Sequence, residues 1–160
     1  MKDVRPTSGL VLSALFNILG EIGDGAKFLD LFAGTGRVGF EAIKRGAKDV
    51  VFVENIRSRA EAIKRSGGLV LNLDIRRAIA WLVKRDMKFN FIFADPPYNS
   101  GWCDEITGLK DLDKLFFDGT IFIIEHSSRE ILKFNSDTFN LFSQRQYGET
   151  QLSFLRRINL

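Results

Sequence analysis

The chain has 160 residues, 45% of them hydrophobic and 27% charged, with a formal net charge of +3. That length suits one domain with a sizeable core; no apolar run approaches the ~18 residues that a bilayer crossing needs, and residues 1–6 lack the charged start and apolar stretch of a secretory leader. With Cys103 as the only cysteine, an intrachain disulfide and a cysteine-rich metal site are excluded and a reducing cytoplasm is expected, while so small a positive charge favours polyanionic partners only weakly.

Over residues 7–19, Leu12, Leu15, Phe16 and Leu19 recur at helical spacing, and Thr7 or Ser8 can cap the start. The apolar run 28–32 ends at Gly34 and Gly36, and helical periodicity resumes from Val38 to Gly46. This reads as strand, glycine turn and helix. A second strand, 50–53, ends at Glu54. A polar helix follows over about 57–65, then a third strand over 69–71 and a helix over about 75–84. Residues 65–68, Arg-Ser-Gly-Gly, read as a flexible turn. The fourth strand, 89–94, runs into Asp95-Pro96-Pro97-Tyr98, where two prolines end any ladder pairing. A helix around 104–116, a strand over 120–125 and two strands near 138–143 and 151–156 close the chain, the last two as an antiparallel edge. Alternating strands and helices with short links predict a single α/β domain over 1–160, with a mostly parallel sheet covered on both faces. Residues 1–25 form a helical segment packed on it.

Ligands of an open parallel sheet bind beyond the carboxyl ends of its strands. Those ends carry Asp30, Glu54, Asp74 and Asp95 from four successive β/α units. Gly34-Thr35-Gly36-Arg37-Val38-Gly39 matches the dinucleotide pattern G-x-G-x-x-G, with Glu54 eighteen residues after Gly36. A nicotinamide oxidoreductase is therefore one reading. A pyrophosphate, however, is repelled by nearby negative charge, whereas the ammonium and sulfonium of S-adenosylmethionine welcome carboxylates. Asp30, just before the glycines, suits the second ligand better. Asp74 precedes a helix, and taken singly it is better read as an N-cap than as a ligand contact.

Asp95-Pro96-Pro97-Tyr98 discriminates further, because methylating an aromatic amine requires acceptors that draw on its N–H groups. The Asp95 carboxylate and the Pro96 carbonyl can supply two. Proline fixes φ and offers no N–H, so the turn is stiff and presents acceptors. Tyr98 is suited to stack on a base extruded from its helix.

Together, Asp30-Leu31-Phe32-Ala33-Gly34-Thr35-Gly36 and Asp95-Pro96-Pro97-Tyr98 resemble the cofactor and catalytic motifs of the bacterial 16S ribosomal RNA guanine-N2 methyltransferases, class I enzymes of the Asp-Pro-Pro-Tyr type. The resemblance extends to Arg5-Pro6-Thr7, Ala14-Leu15-Phe16-Asn17, Val53-Glu54 and Tyr147-Gly148-Glu149-Thr150. It implies a seven-stranded Rossmann-like sheet that binds S-adenosylmethionine through Asp30, Phe32, Ala33, Gly34, Thr35, Gly36, Glu54, Asp74 and Ile75. Glu54 would hold the ribose hydroxyls and Asp74 the adenine amine. Asp95, Pro96 and Tyr98 would handle the target base, with no metal and no covalent intermediate. The implied partner is ribosomal RNA or the small ribosomal subunit. Members of that family usually carry a basic β-hairpin ahead of the Arg-Pro-Thr motif; with Arg5 only fifth, a chain lacking it is expected.

The remaining basic residues, Arg57, Arg59, Lys64, Arg65, Arg76, Arg77, Arg156 and Arg157, read better as solvated faces than as RNA contacts. His126, after the fifth strand, reads as a hydrogen-bonded structural residue, and Trp102 as core or lid. Two alternatives remain beside guanine N2. One is an adenine-N6 methyltransferase acting on DNA or RNA, and the other a cofactor-binding module active only within a complex.

Overall fold

The computed structural model describes residues 8–158, so Arg5-Pro6-Thr7 lies outside the described residues. Ser8 takes the capping role: its hydroxyl accepts the Val11 N–H at 3.1 Å and opens helix α1 (Gly9–Leu19). Val11, Leu15 and Phe16 then fall on one face and are buried against the sheet. Among the described residues no helix is long and apolar enough to cross a membrane.

Five strands, β1 (Lys27–Leu31), β2 (Asp49–Val53), β3 (Leu69–Leu71), β4 (Phe89–Ala94) and β5 (Phe116–Ser127), run parallel. Their order is β3-β2-β1-β4-β5. In β1 and β2 every residue after the first is buried, as expected of strands covered on both faces. The chain ends in β6 (Phe139–Tyr147) and β7 (Thr150–Arg157). β7 inserts antiparallel between β5 and β6, giving a seven-stranded sheet with β6 at the edge.

Between the strands lie α2 (Arg37–Lys44), α3 (Arg57–Arg65) and α4 (Ile75–Lys84). Alternate strand residues divide the core in two. Phe28, Phe52, Phe93 and Ile123 join α1, α2 and Ile63 of α3 on one face, and Leu29, Ile92, Phe122 and Ile124 join α4 on the other. Gly39 shows why the third glycine of the pattern is there: a Cβ at that position would lie 2.3 Å from the Phe52 ring. The turn at 65–68 is likewise packed, for a Cβ on Gly68 would meet Ile63 at 2.6 Å and Phe52 at 2.9 Å.

The helix expected around 104–116 is replaced by something shorter. Helix α5 (Trp102–Glu105) is followed by two single turns of 3-10 helix, Ile106–Gly108 and Leu112–Leu115. Asp111, at φ 64, stands in the left-handed region between them and breaks the helical path. The apolar residues Ile106, Leu112 and Leu115 still reach the core, so burial was legible where the element type was not. β5 also begins four residues earlier than the apolar run 120–125 suggests. Its extra residues bulge between the pairs Phe89–Phe116 and Phe91–Ile121, where the Thr120 hydroxyl donates to the Phe89 carbonyl at 2.6 Å and accepts the Phe117 N–H at 2.8 Å.

Candidate active site

From β1 the sheet grows one way through β2 and β3 and the other way through β4 and β5, so connectivity reverses between β1 and β4. Above the carboxyl ends of the strands at such a reversal the neighbouring loops part and leave a crevice. A cavity of about 870 Å³ opens there, and it joins the two motifs: Asp30, Gly34 and Glu54 line it together with Asp95, Pro96 and Tyr98.

At the β1 side, the Asp30 carboxylate accepts the Gly39 N–H in the first turn of α2 at 3.0 Å and is only 1% exposed. Burial pushes this carboxyl well above the usual carboxylate range; the Gly39 bond opposes the shift, and the Glu54 and Glu125 charges reinforce it. The Asp30 side chain thus already occupies an amide that a pyrophosphate would need, which argues against the dinucleotide reading. Glu54, also buried, accepts the Gly34 N–H through one oxygen at 2.7 Å and the Ile56 N–H through the other at 2.8 Å. The glycine turn is thereby tied to the end of β2. Phe32, at φ 57, turns the chain out of β1 and packs edge-on to Trp102 at 5.1 Å between ring centres.

Asp74 caps α4, accepting the Arg76 and Arg77 N–H groups at 3.0 and 3.1 Å, and it lines the cavity as well. Capping and ligand contact are therefore compatible at this residue. Ile75, Ala33 and Thr35 also line the cavity, but Gly36 does not. Gly36 sits behind the wall as the left-handed N-cap residue of α2, at φ 82, where a Cβ would strike Phe40 at 2.8 Å.

On the β4 side, the Ser100 hydroxyl donates to the Pro97 carbonyl, and the Asn99 N–H donates to Glu130 at 3.1 Å. Pro96 is buried and Asp95 half-buried. The Tyr98 hydroxyl lies 3.0 Å from that of Thr150 at the start of β7. The expected stacking residue is thus fixed through its hydroxyl while its ring borders the cavity.

Sequence reading missed Glu125 and Ser127 at the end of β5, both buried and both lining the cavity, and Arg37 and Arg129 at its rim. Glu125 was findable: it ends the apolar run 121–124 just as Glu54 and Asp95 end theirs. His126 is structural, its ring nitrogens each 2.9 Å from the Ser127 carbonyl and the Ser153 hydroxyl, and burial lowers its pKa so that it stays neutral. Burial and Glu130 push the Cys103 thiol up to about 12, which leaves it no thiolate for nucleophilic work. Arg57 serves the surface, pairing with Glu61 at 3.2 Å, whereas Arg59 and Arg76, expected on solvated faces, both border the cavity, Arg76 also pairing with Glu105 at 2.8 Å.

The family model described as "Conserved hypothetical protein 95" matches residues 1–156. A Bacillus subtilis protein named as a candidate rRNA methyltransferase, YlbH, is 28% identical over 97% of this chain and 89% of its own. The Escherichia coli (strain K12) Ribosomal RNA small subunit methyltransferase D is 26% identical over 96% of this chain and 80% of its own. A solved Escherichia coli structure named as a candidate methyltransferase, yhhF, superposes with a TM-score of 0.80 at 25% identity, covering 96% of this chain and 87% of that one. The chain belongs to the family described as "Conserved hypothetical protein 95", and its relatives include a small-subunit ribosomal RNA methyltransferase, in agreement with the resemblance its two motifs carry.

Proposed function

We propose that this chain is a cytoplasmic, S-adenosylmethionine-dependent methyltransferase that methylates an exocyclic base amine, guanine N2 of 16S ribosomal RNA. One observation carries the reading: the acidic β1–β2 end and the Asp95-Pro96-Pro97-Tyr98 turn open into a single cavity, large enough for a nucleoside cofactor and a flipped base side by side. The donor set fits the cofactor. Asp30 offers a buried negative charge to a cationic methionine moiety, Glu54 offers acceptors to ribose hydroxyls, and Asp74 with Ile75 borders the place for the adenine. When bound, S-adenosylmethionine supplies an electrophilic methyl group on its sulfonium.

The remaining work falls to the base side. Asp95 and the Pro96 carbonyl accept the two N–H groups of the amine, turning its lone pair out of the ring and toward the methyl group. An amine that had gained a methyl group would be cationic, and the Asp95 carboxylate would be placed to take the proton it sheds. Tyr98 presents its ring to the base. Turnover on this reading rests on orientation and charge.

The test is to incubate purified protein with methyl-tritiated S-adenosylmethionine and unmodified small ribosomal subunits, with free ribosomal RNA and unmethylated DNA in parallel. N2-methylguanosine in RNA is the expected product. Label in N6-methyladenine would move the enzyme to adenine, and cofactor binding without label on any substrate would make it a partner-dependent module.

A further inference from the structure

Guanine and adenine both offer an exocyclic amine, and the two acceptors at Asp95 and Pro96 do not tell them apart. What differs is the neighbouring ring nitrogen: N1 of guanine is a donor, while N1 of adenine is an acceptor. A site that selects guanine therefore needs a third acceptor beside the first two. An ionised carboxylate serves best, because it accepts only and so repels the adenine lone pair. Hydroxyls and amides, which can donate as well, discriminate poorly.

Glu125 occupies that place. The last registered pair between β4 and β5 is Ala94–Ile124, so Asp95, the first residue past β4, stands next to Glu125 of β5. Phe93 and Ile123 belong to one core face and Ala94 and Ile124 to the other, so the alternation sends Asp95 and Glu125 to the same face. Both line the cavity, and Glu125 is 3% exposed. Its charge is felt at Asp30, so it also lies near the cofactor end. Two residues on, Ser127 pairs with Thr150, the residue that holds Tyr98. The strand bearing Glu125 thus lines the cavity beside Asp95, Pro96 and Tyr98.

We propose that Glu125 is the specificity-determining residue of this enzyme, accepting the N1–H of the target guanine and excluding adenine. The inference rests on the proposed base methylation and goes beyond it by assigning the base choice to one side chain. Its test uses 2-aminopurine, which keeps the 2-amino group but has an acceptor at N1. The guanine labelled by the wild-type protein is first located, and subunits are then reconstituted with 2-aminopurine at that position. Wild type is expected to prefer guanine by roughly 10,000-fold in kcat/KM, the scale on which a site left with an unpaired buried polar group rejects an analogue. Glu125→Gln, whose amide can either donate or accept, is expected to bring that ratio to within about tenfold of unity. Melting temperature and cofactor affinity of the variant serve as controls for folding. Equal use of both bases by wild type overturns the inference without any variant, and so does an unchanged ratio in a folded Glu125→Gln protein. A wild type that labels no guanine overturns the proposed acceptor as well, so the two failures are told apart by the product.

Discussion

Asp30 is held where a negative charge opposes folding. Its carboxyl titrates well above the usual range because it is buried, and the unfolded chain has no such burial. The native state therefore binds the proton more tightly than the unfolded one. Stability is greatest below the ordinary carboxylate pKa and falls as pH rises through the raised folded value. Asp30→Asn keeps an acceptor for the Gly39 N–H and removes the charge, so at neutral pH it should melt higher than wild type by a few degrees while losing cofactor affinity. Calorimetry reads both; a variant that melts lower at pH 7, or binds the cofactor as wild type does, contradicts the assignment. The same shift means that binding a cationic ligand expels a proton, so cofactor affinity should rise with pH through the raised value. Asp95 makes the opposite prediction: Asp95→Ala should lower turnover by at least roughly 100-fold, the scale of a lost general base, with the cofactor dissociation constant within about twofold. Full methylation by that variant removes Asp95 from the reaction.

At the scale of elements, the glycine turn and α2 depend on a contact that spacing does not disclose. The face of α2 around Gly39 lies directly on the Phe52 ring, and Phe40 packs tilted against the same ring at 4.8 Å between centres. Adding one methyl group there overpacks the seam and displaces the helix start that donates to Asp30. Gly39→Ala should cost about 1–3 kcal/mol by urea unfolding, and Phe52→Leu in the same chain should recover part of it. Recovery is the informative measurement, because a glycine kept for backbone freedom would not respond to trimming Phe52. The helix expected at 104–116 fails on similar grounds. Its apolar residues lie at spacings a helix would also give, but Gly108 and the left-handed Asp111 divide it, and β5 takes Phe116.

In the whole molecule, loops from β1, β2, β4 and β5 meet above the reversal in strand order and make one cavity. A ligand that bridges them stabilises only the folded chain. At about 100 times its dissociation constant, S-adenosylhomocysteine should add about 2.7 kcal/mol, a rise of roughly 5–10 °C in melting temperature for a chain of this size. NADH should give no such rise. An equal rise with NADH would restore the dinucleotide reading that the Asp30–Gly39 bond argues against.

The sequence by itself determined the local elements and the two motifs. Alternating apolar strands and periodic helices fixed α3, α4, β3 and β4 at their observed bounds, because each carries its signal within a window of ten residues. Acidic residues at successive strand ends marked Asp30, Glu54, Asp74 and Asp95, since four carboxylates on one rim point to a cationic ligand even where each alone could be a cap or a solvated loop residue. Tertiary structure alone decided what depends on residues far apart in the chain. It set the strand order that brings Gly34 and Asp95 to one cavity, the pairing of Tyr98 with Thr150 across 52 positions, and the burial of Glu125 beside them. Strand order and side-chain contacts between elements arise from packing two faces of one sheet, and no local pattern encodes them.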